Sequence, residues 1–182
     1  SEGTQTALYD ASEVVKNVMP SMVAIDITAT ETVQNPFVFF GYGSSYEQQI
    51  TGSGTGIIIS EDDENLYMVT NHHVIEGADS ITVTFVDGSA VSGTVRGSDE
   101  DSDLAVVAVP LSQMSSETKD SIKIAVMGDS DEVQLGEPAI AIGNALGYGQ
   151  SVTVGHISAL AHEVQLTDKT MNLLQTDAAI NP

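Results

Sequence analysis

Apolar and polar positions alternate along most of this chain. Met22-Val-Ala-Ile-Asp-Ile-Thr28 places apolar side chains on one face and polar ones on the other, as a half-buried strand requires. Thr55–Ser60 and Leu66–Thr70 are rich in β-branched residues, and the acidic stretch 61–65 between them predicts a hairpin. Ile81–Val86 and Ala90–Val95 flank Asp87-Gly88, a dipeptide suited to a tight turn, and predict a second hairpin. Leu104–Val109 is a continuous apolar strand, and strand patterns resume at Pro138–Ile142, Val152–Leu160 and Met171–Thr176. One helix is predicted, over Tyr9–Met19. Asp10 or Ser12 would cap it, Val14, Val15 and Val18 would form its apolar side, and Pro20 would end it. About nine short strands separated by turns predict a β-barrel or sandwich.

Between these strand groups, residues 110–130 turn Ser-, Met- and acid-rich behind Pro110 and read as a connection between two subdomains. Residues 31–50 differ again. They hold Phe37, Phe39, Phe40, Tyr42 and Tyr46 among glycines, and clustered aromatics on a loop predict a contact with a partner rather than a loop tucked onto its own domain.

Charge and composition remove several classes of function. The 182 residues carry 26 acidic against five basic side chains, a net charge of −21, so they lack the Lys/Arg clusters that nucleic acid or an anionic membrane demands. The acids lie in clusters at 61–64, 99–101 and 129–132, which read as solvated turns, since none has the twelve-residue spacing of an EF-hand. Without cysteine there is no disulfide, thiol nucleophile or thiolate metal site. No apolar run approaches the roughly 20 residues of a membrane span, and no signal-peptide pattern opens the sequence.

The candidate chemistry centres on Thr70-Asn-His-His-Val74, which directly follows a strand. Acyl transfer needs an imidazole that takes a proton from a nucleophile and returns it to the leaving amine, and a carboxylate that fixes the imidazole tautomer. His73 could be the first. Asp103, opening the apolar strand Leu104–Val109, could be the second. His72, His73 and Glu76 lack the order and spacing that put two metal ligands on one helical face, so no metal and no other cofactor is expected. His156 and His162 read as surface or barrel residues.

Several segments, in one order, resemble the HtrA/DegP family of trypsin-like serine proteases. They are Gly52-Ser-Gly-Thr-Gly-Ile-Ile58, Thr70–Val74, Ser102-Asp-Leu-Ala105, Gly128-Asp-Ser130, Gly136–Asn144, Gln150–Leu160 and Gln175–Asn181. The resemblance covers residue 11 to the last residue. It implies an all-β fold of two six-stranded antiparallel barrels, chymotrypsin-like, with the second incomplete in this chain. Residues 1–20 would form an N-terminal segment, 21–110 the first barrel with His73 and Asp103, 111–130 the connection, and 131–182 the start of the second barrel.

The resemblance also implies that the nucleophilic serine lies just beyond Asn181-Pro182, outside the chain. Ser53, Ser102 and Ser130 fall in segments with other roles. By the same register Ala179 and Ile180 line the primary substrate pocket, implying small aliphatic residues before the scissile bond. Asp177 lies two residues out of register for an acid that would select basic ones. The expected activity is endoproteolysis of misfolded or unfolded polypeptides in the bacterial cell envelope by a homotrimer, and the fragment alone is expected to be inactive. Its expected partners are polypeptide substrates, further copies of itself and the rest of the protease chain. The alternative is a pseudoprotease that only binds protein.

Overall fold

The computed structural model describes residues 10–34, 45–144, 150–165 and 170–180. The chain divides into two compact units, one of residues 20–128 with 143–150, the other of 1–19 with 129–142 and 151–182. In the first, six antiparallel strands close a barrel: β1 (Met22–Gln34), β2 (Ser45–Glu61), β3 (Asn65–Thr70), β4 (Ser80–Thr84), β5 (Ala90–Asp99) and β6 (Leu104–Pro110), in the order β1-β2-β3-β6-β5-β4. In the second, β7 (Pro138–Asn144), β8 (Gln150–Gln165) and β9 (Thr170–Thr176) form a three-stranded sheet.

The alternation explains the barrel core. Val23, Ile25 and Ile27 of β1 point inward and meet Ile58, Leu66, Met68, Ile81, Val83, Ala105, Val107 and Val109, all buried. Burying a side chain of this size contributes roughly 1.5–3 kcal/mol, so the interior is the main source of stability. Both predicted hairpins form. Asp62 closes the first, its Oδ1 accepting from the amides of Glu64 and Asn65 while Tyr67 Oη donates to Oδ2 at 2.6 Å. The second turns at Gly88, whose φ of +84° suits glycine.

Several strands outrun their sequence signal, β1, β2, β5 and β8 among them. β1 and β2 stay paired as far as Gln34↔Ser45, well past Thr28 and Thr55. At that end both strands are largely polar and exposed, so no alternation marks them. The helix, α1, runs over Ser12–Val18 and is shorter than predicted. Ala11 occupies its cap position, and Asp10 instead accepts from the Ser12 amide and hydroxyl just upstream. Val15 and Val18 are half-buried and Val14 is exposed. No helix among the described residues is long and apolar enough to cross a membrane.

Within residues 111–130 a short helix, α3 (Ser116–Ser121), is fastened to the β4–β5 turn through one hydroxyl. Thr118, 1% exposed, has its Oγ1 at 2.7 Å from Asp87 Oδ2, 2.8 Å from Ser89 Oγ and 3.0 Å from Ser115 Oγ. The Ser115 hydroxyl also caps the helix, accepting from the Thr118 amide. Thr118→Val keeps the shape and removes the hydroxyl. It should lower stability by about 1–2 kcal/mol, measured by urea unfolding.

Candidate active site

β3 and β6 are antiparallel neighbours, with Thr70 opposite Ala105. The end of β3 therefore lies beside the start of β6. The chain leaves β3 through Asn71 into a single helical turn, α2 (His72–Ile75), and enters β6 from Asp103. Two residues distant in sequence meet at one end of the barrel.

The contact is two-pronged. Asp103 Oδ1 accepts from the His73 amide at 2.9 Å, and Asp103 Oδ2 lies 2.7 Å from His73 Nδ1. Both oxygens of the carboxylate are thus directed at one residue, fixing the backbone and the ring together. With Nδ1 turned to a carboxylate, the neutral ring carries its proton there and leaves Nε2 as the acceptor. The His73 side chain is 69% exposed among the described residues.

Partial burial, the largest single influence on Asp103, raises its carboxyl. The hydrogen bonds from the His73 amide and ring, with the nearby His73 and His72 imidazoles, together outweigh it and hold the group below the usual carboxylate range.

Three neighbours position this pair, and no sequence signal had singled them out as doing so. Asn71 Nδ2 donates to the Asp103 carbonyl at 3.0 Å, tying the two approaching segments together, and makes no cap to α2 with its side chain. Thr70 Oγ1 donates to the Thr55 carbonyl at 2.8 Å, holding the end of β3 on β2. Gly54 lies under α2: a Cβ there would come within 2.6 Å of Val74 Cγ2, so only glycine lets the turn carrying His73 settle on β2. Asp103 itself has a φ of +53°, in the left-handed region that Asp and Asn tolerate better than other side chains.

The remaining candidates lie elsewhere. Ala179 and Ile180 belong to the second unit, Ala179 exposed and Ile180 75% exposed. Asp177 Oδ1 accepts from the His156 amide at 2.6 Å. Tyr46 is exposed on β2, and Phe37, Phe39, Phe40 and Tyr42 lie outside the described residues. His162 is on β8.

The trypsin-like peptidase domain model matches residues 54–182. This chain belongs to the HtrA-type, trypsin-like serine peptidases. It is 40% identical to the serine protease Do-like HtrB of Bacillus subtilis, over 97% of this chain and 38% of that protein. It is 35% identical to Do-like HtrA of the same organism, over 94% and 38%. It is 42% identical to the "Probable periplasmic serine endoprotease DegP-like" of Chlamydia trachomatis, over 79% and 28%. Among solved structures it is similar to the HtrA-type protease AlgW with a tripeptide, with a TM-score of 0.71 and 30% identity over 96% of this chain and 48% of that one. The chain spans less than half of the length of these relatives. The closed barrel and the second sheet are the chymotrypsin-like, all-β arrangement that the resemblance implies.

Two outcomes are expected. A depressed carboxyl contributes stability that is present above its unfolded value, about 3.9, and is lost only as pH falls through the lower folded value. In an NMR titration the Asp103 carboxyl carbon should titrate below the ordinary aspartate range, and the His73 ring contact should persist until it does. Gly54→Ala should cost about 1–3 kcal/mol by overpacking and move α2, read as a changed His73 ring resonance.

Proposed function

We propose that the complete polypeptide is a serine endopeptidase in which His73 is the general base and acid and Asp103 orients it. The observation that carries this is the two-pronged Asp103–His73 contact, with Nδ1 held at 2.7 Å and the rest of the ring open. Nε2 of His73 takes the proton of a serine hydroxyl as that oxygen attacks the peptide carbonyl, then delivers it to the leaving amine. Asp103 stabilises the imidazolium formed in between without accepting the proton. The serine is not among these 182 residues, and the reading assigns it to polypeptide beyond Pro182. Its support is the register of Gln175–Asn181 and relatives more than twice as long as this chain. The chain by itself is then inactive.

The substrates are unfolded or misfolded polypeptides, cut after small aliphatic residues that fit against Ala179 and Ile180. The domain assignment of this reading keeps 1–20, 21–110, 111–130 and 131–182 as N-terminal segment, first barrel, connection and start of the second barrel. The working location is outside the cytoplasm, in keeping with the word "periplasmic" in the name of the Chlamydia relative. Assembly as a homotrimer would use Phe37, Phe39, Phe40, Tyr42 and Tyr46. The inactive pseudoprotease finds no support among relatives named as serine proteases.

The full-length polypeptide should be labelled by a fluorophosphonate at one serine and should digest an unfolded protein. His73→Ala should lower kcat by about 10⁶-fold and Asp103→Asn by about 10⁴-fold, both leaving the fold intact. Failure of the folded, full-length polypeptide to label would remove the protease reading.

A further inference from the structure

We propose that Thr153, Thr176 and Asp177 are positioning residues that fasten the segment bearing Ala179 and Ile180 onto β8, and so set the substrate pocket and the approach to the nucleophile. This rests on the pocket assignment proposed above. The backbone pairing of β8 with β9 ends at Ile157↔Thr176. Immediately beyond, side chains join one further main-chain bond in holding the segment. Thr176 Oγ1 donates to the His156 carbonyl at 2.9 Å and accepts from the Ala178 amide at 3.1 Å. Asp177 Oδ1 accepts from the His156 amide at 2.6 Å, and the Asp177 amide donates to the His156 carbonyl at 3.2 Å. Thr153 Oγ1 donates to the Ala179 carbonyl at 2.6 Å. All of these groups belong to one compact unit.

The arrangement has a purpose that a longer strand would not serve. A continued ladder would commit the main chain of residues 177–180 to β8 and turn alternate side chains away from any ligand. Here His156 is satisfied by a carboxylate and the Ala179 carbonyl by a hydroxyl. The segment is therefore held in register while it leaves the sheet, with Ile180 presented to solvent. The fit is close: a Cβ at Gly155 would collide with the Ala178 nitrogen and Asp177 Oδ1, so the latch closes only over glycine.

The test uses the full-length polypeptide and peptides with valine, alanine or lysine before the scissile bond. Thr153→Val removes the bond to the Ala179 carbonyl and Asp177→Ala the bond to the His156 amide, with those of Thr176 left in place. Thr153→Ser keeps the donor and Asp177→Asn keeps the acceptor. Loosening the pocket should reduce the valine-over-alanine preference in kcat/KM by about tenfold in the first pair, mostly through KM, and by less than about twofold in the second. The pH profile set by His73 and Asp103 should be unchanged. A lowered Tm with an unaltered preference would overturn the proposal, because the residues would then only hold the fold. So would a gain or loss of lysine cleavage confined to the Asp177 variants, because Asp177 would then touch substrate directly. If the unsubstituted polypeptide is inactive, it is the protease reading that fails. The latch is then judged by hydrogen exchange at the His156 and Ala178 amides: exchange accelerated in the first pair and slow in the second supports it, and exchange unchanged in all four overturns it.

Discussion

The pairing of β3 with β6 is the constraint on which the candidate site depends. Antiparallel neighbours place the end of one strand beside the beginning of the other, so Thr70↔Ala105 delivers two otherwise distant segments to the same rim of the barrel. The inward residues of the two strands, Leu66, Met68, Ala105, Val107 and Val109, are buried, so a one-residue slip would turn this set outward and is strongly opposed. The hydrophobic interior thereby holds a polar contact it never touches. Asn71, Thr70 and Gly54 then refine what the register has already brought within reach.

Much of this was legible. The alternation in Met22–Thr28, the apolar run Leu104–Val109 and the Asp-Gly turn each report burial or backbone shape directly, and the strands and turn lie where those signals are. The outer halves of β1 and β2 were not, because strands solvated on both faces carry no periodic signal. α1 starts later than its sequence signal because Asp10 bonds Ser12 locally instead of reaching into the first turn, the competition that short polar side chains always offer. As for the site, residue types and spacing make His73 and Asp103 only one pairing among many. Order among several motifs is what singled them out. Asn71 lies within Thr70–Val74, yet its part was not legible, since a side chain that bonds a carbonyl 32 positions away leaves no local trace.

Both units solve the same problem with hydroxyls. Where a strand stops or a connection must be held, a threonine or serine supplies the missing partner: Thr118 for α3, Thr153 and Thr176 for the end of β9. Around Thr118 the hydroxyls of Ser89, Ser115 and Thr118 offer three protons to four close oxygen contacts, because Ser89 Oγ also lies 2.7 Å from Asp87 Oδ1. Not every contact can be a hydrogen bond at once, so the protons must choose, and the cluster has more than one satisfied arrangement.

The left-handed backbone at Asp103 narrows what mutation can do there. The position makes two unrelated demands, a φ of +53° and a carboxylate within 2.7 Å of the imidazole. Glycine and asparagine meet the first and fail the second. Glutamate brings the charge but lacks the short side chain that makes the backbone tolerable, and its added methylene would push the oxygens out of register with the His73 amide. Of the twenty side chains, aspartate alone satisfies both. The residue is fixed by conformation as firmly as by chemistry.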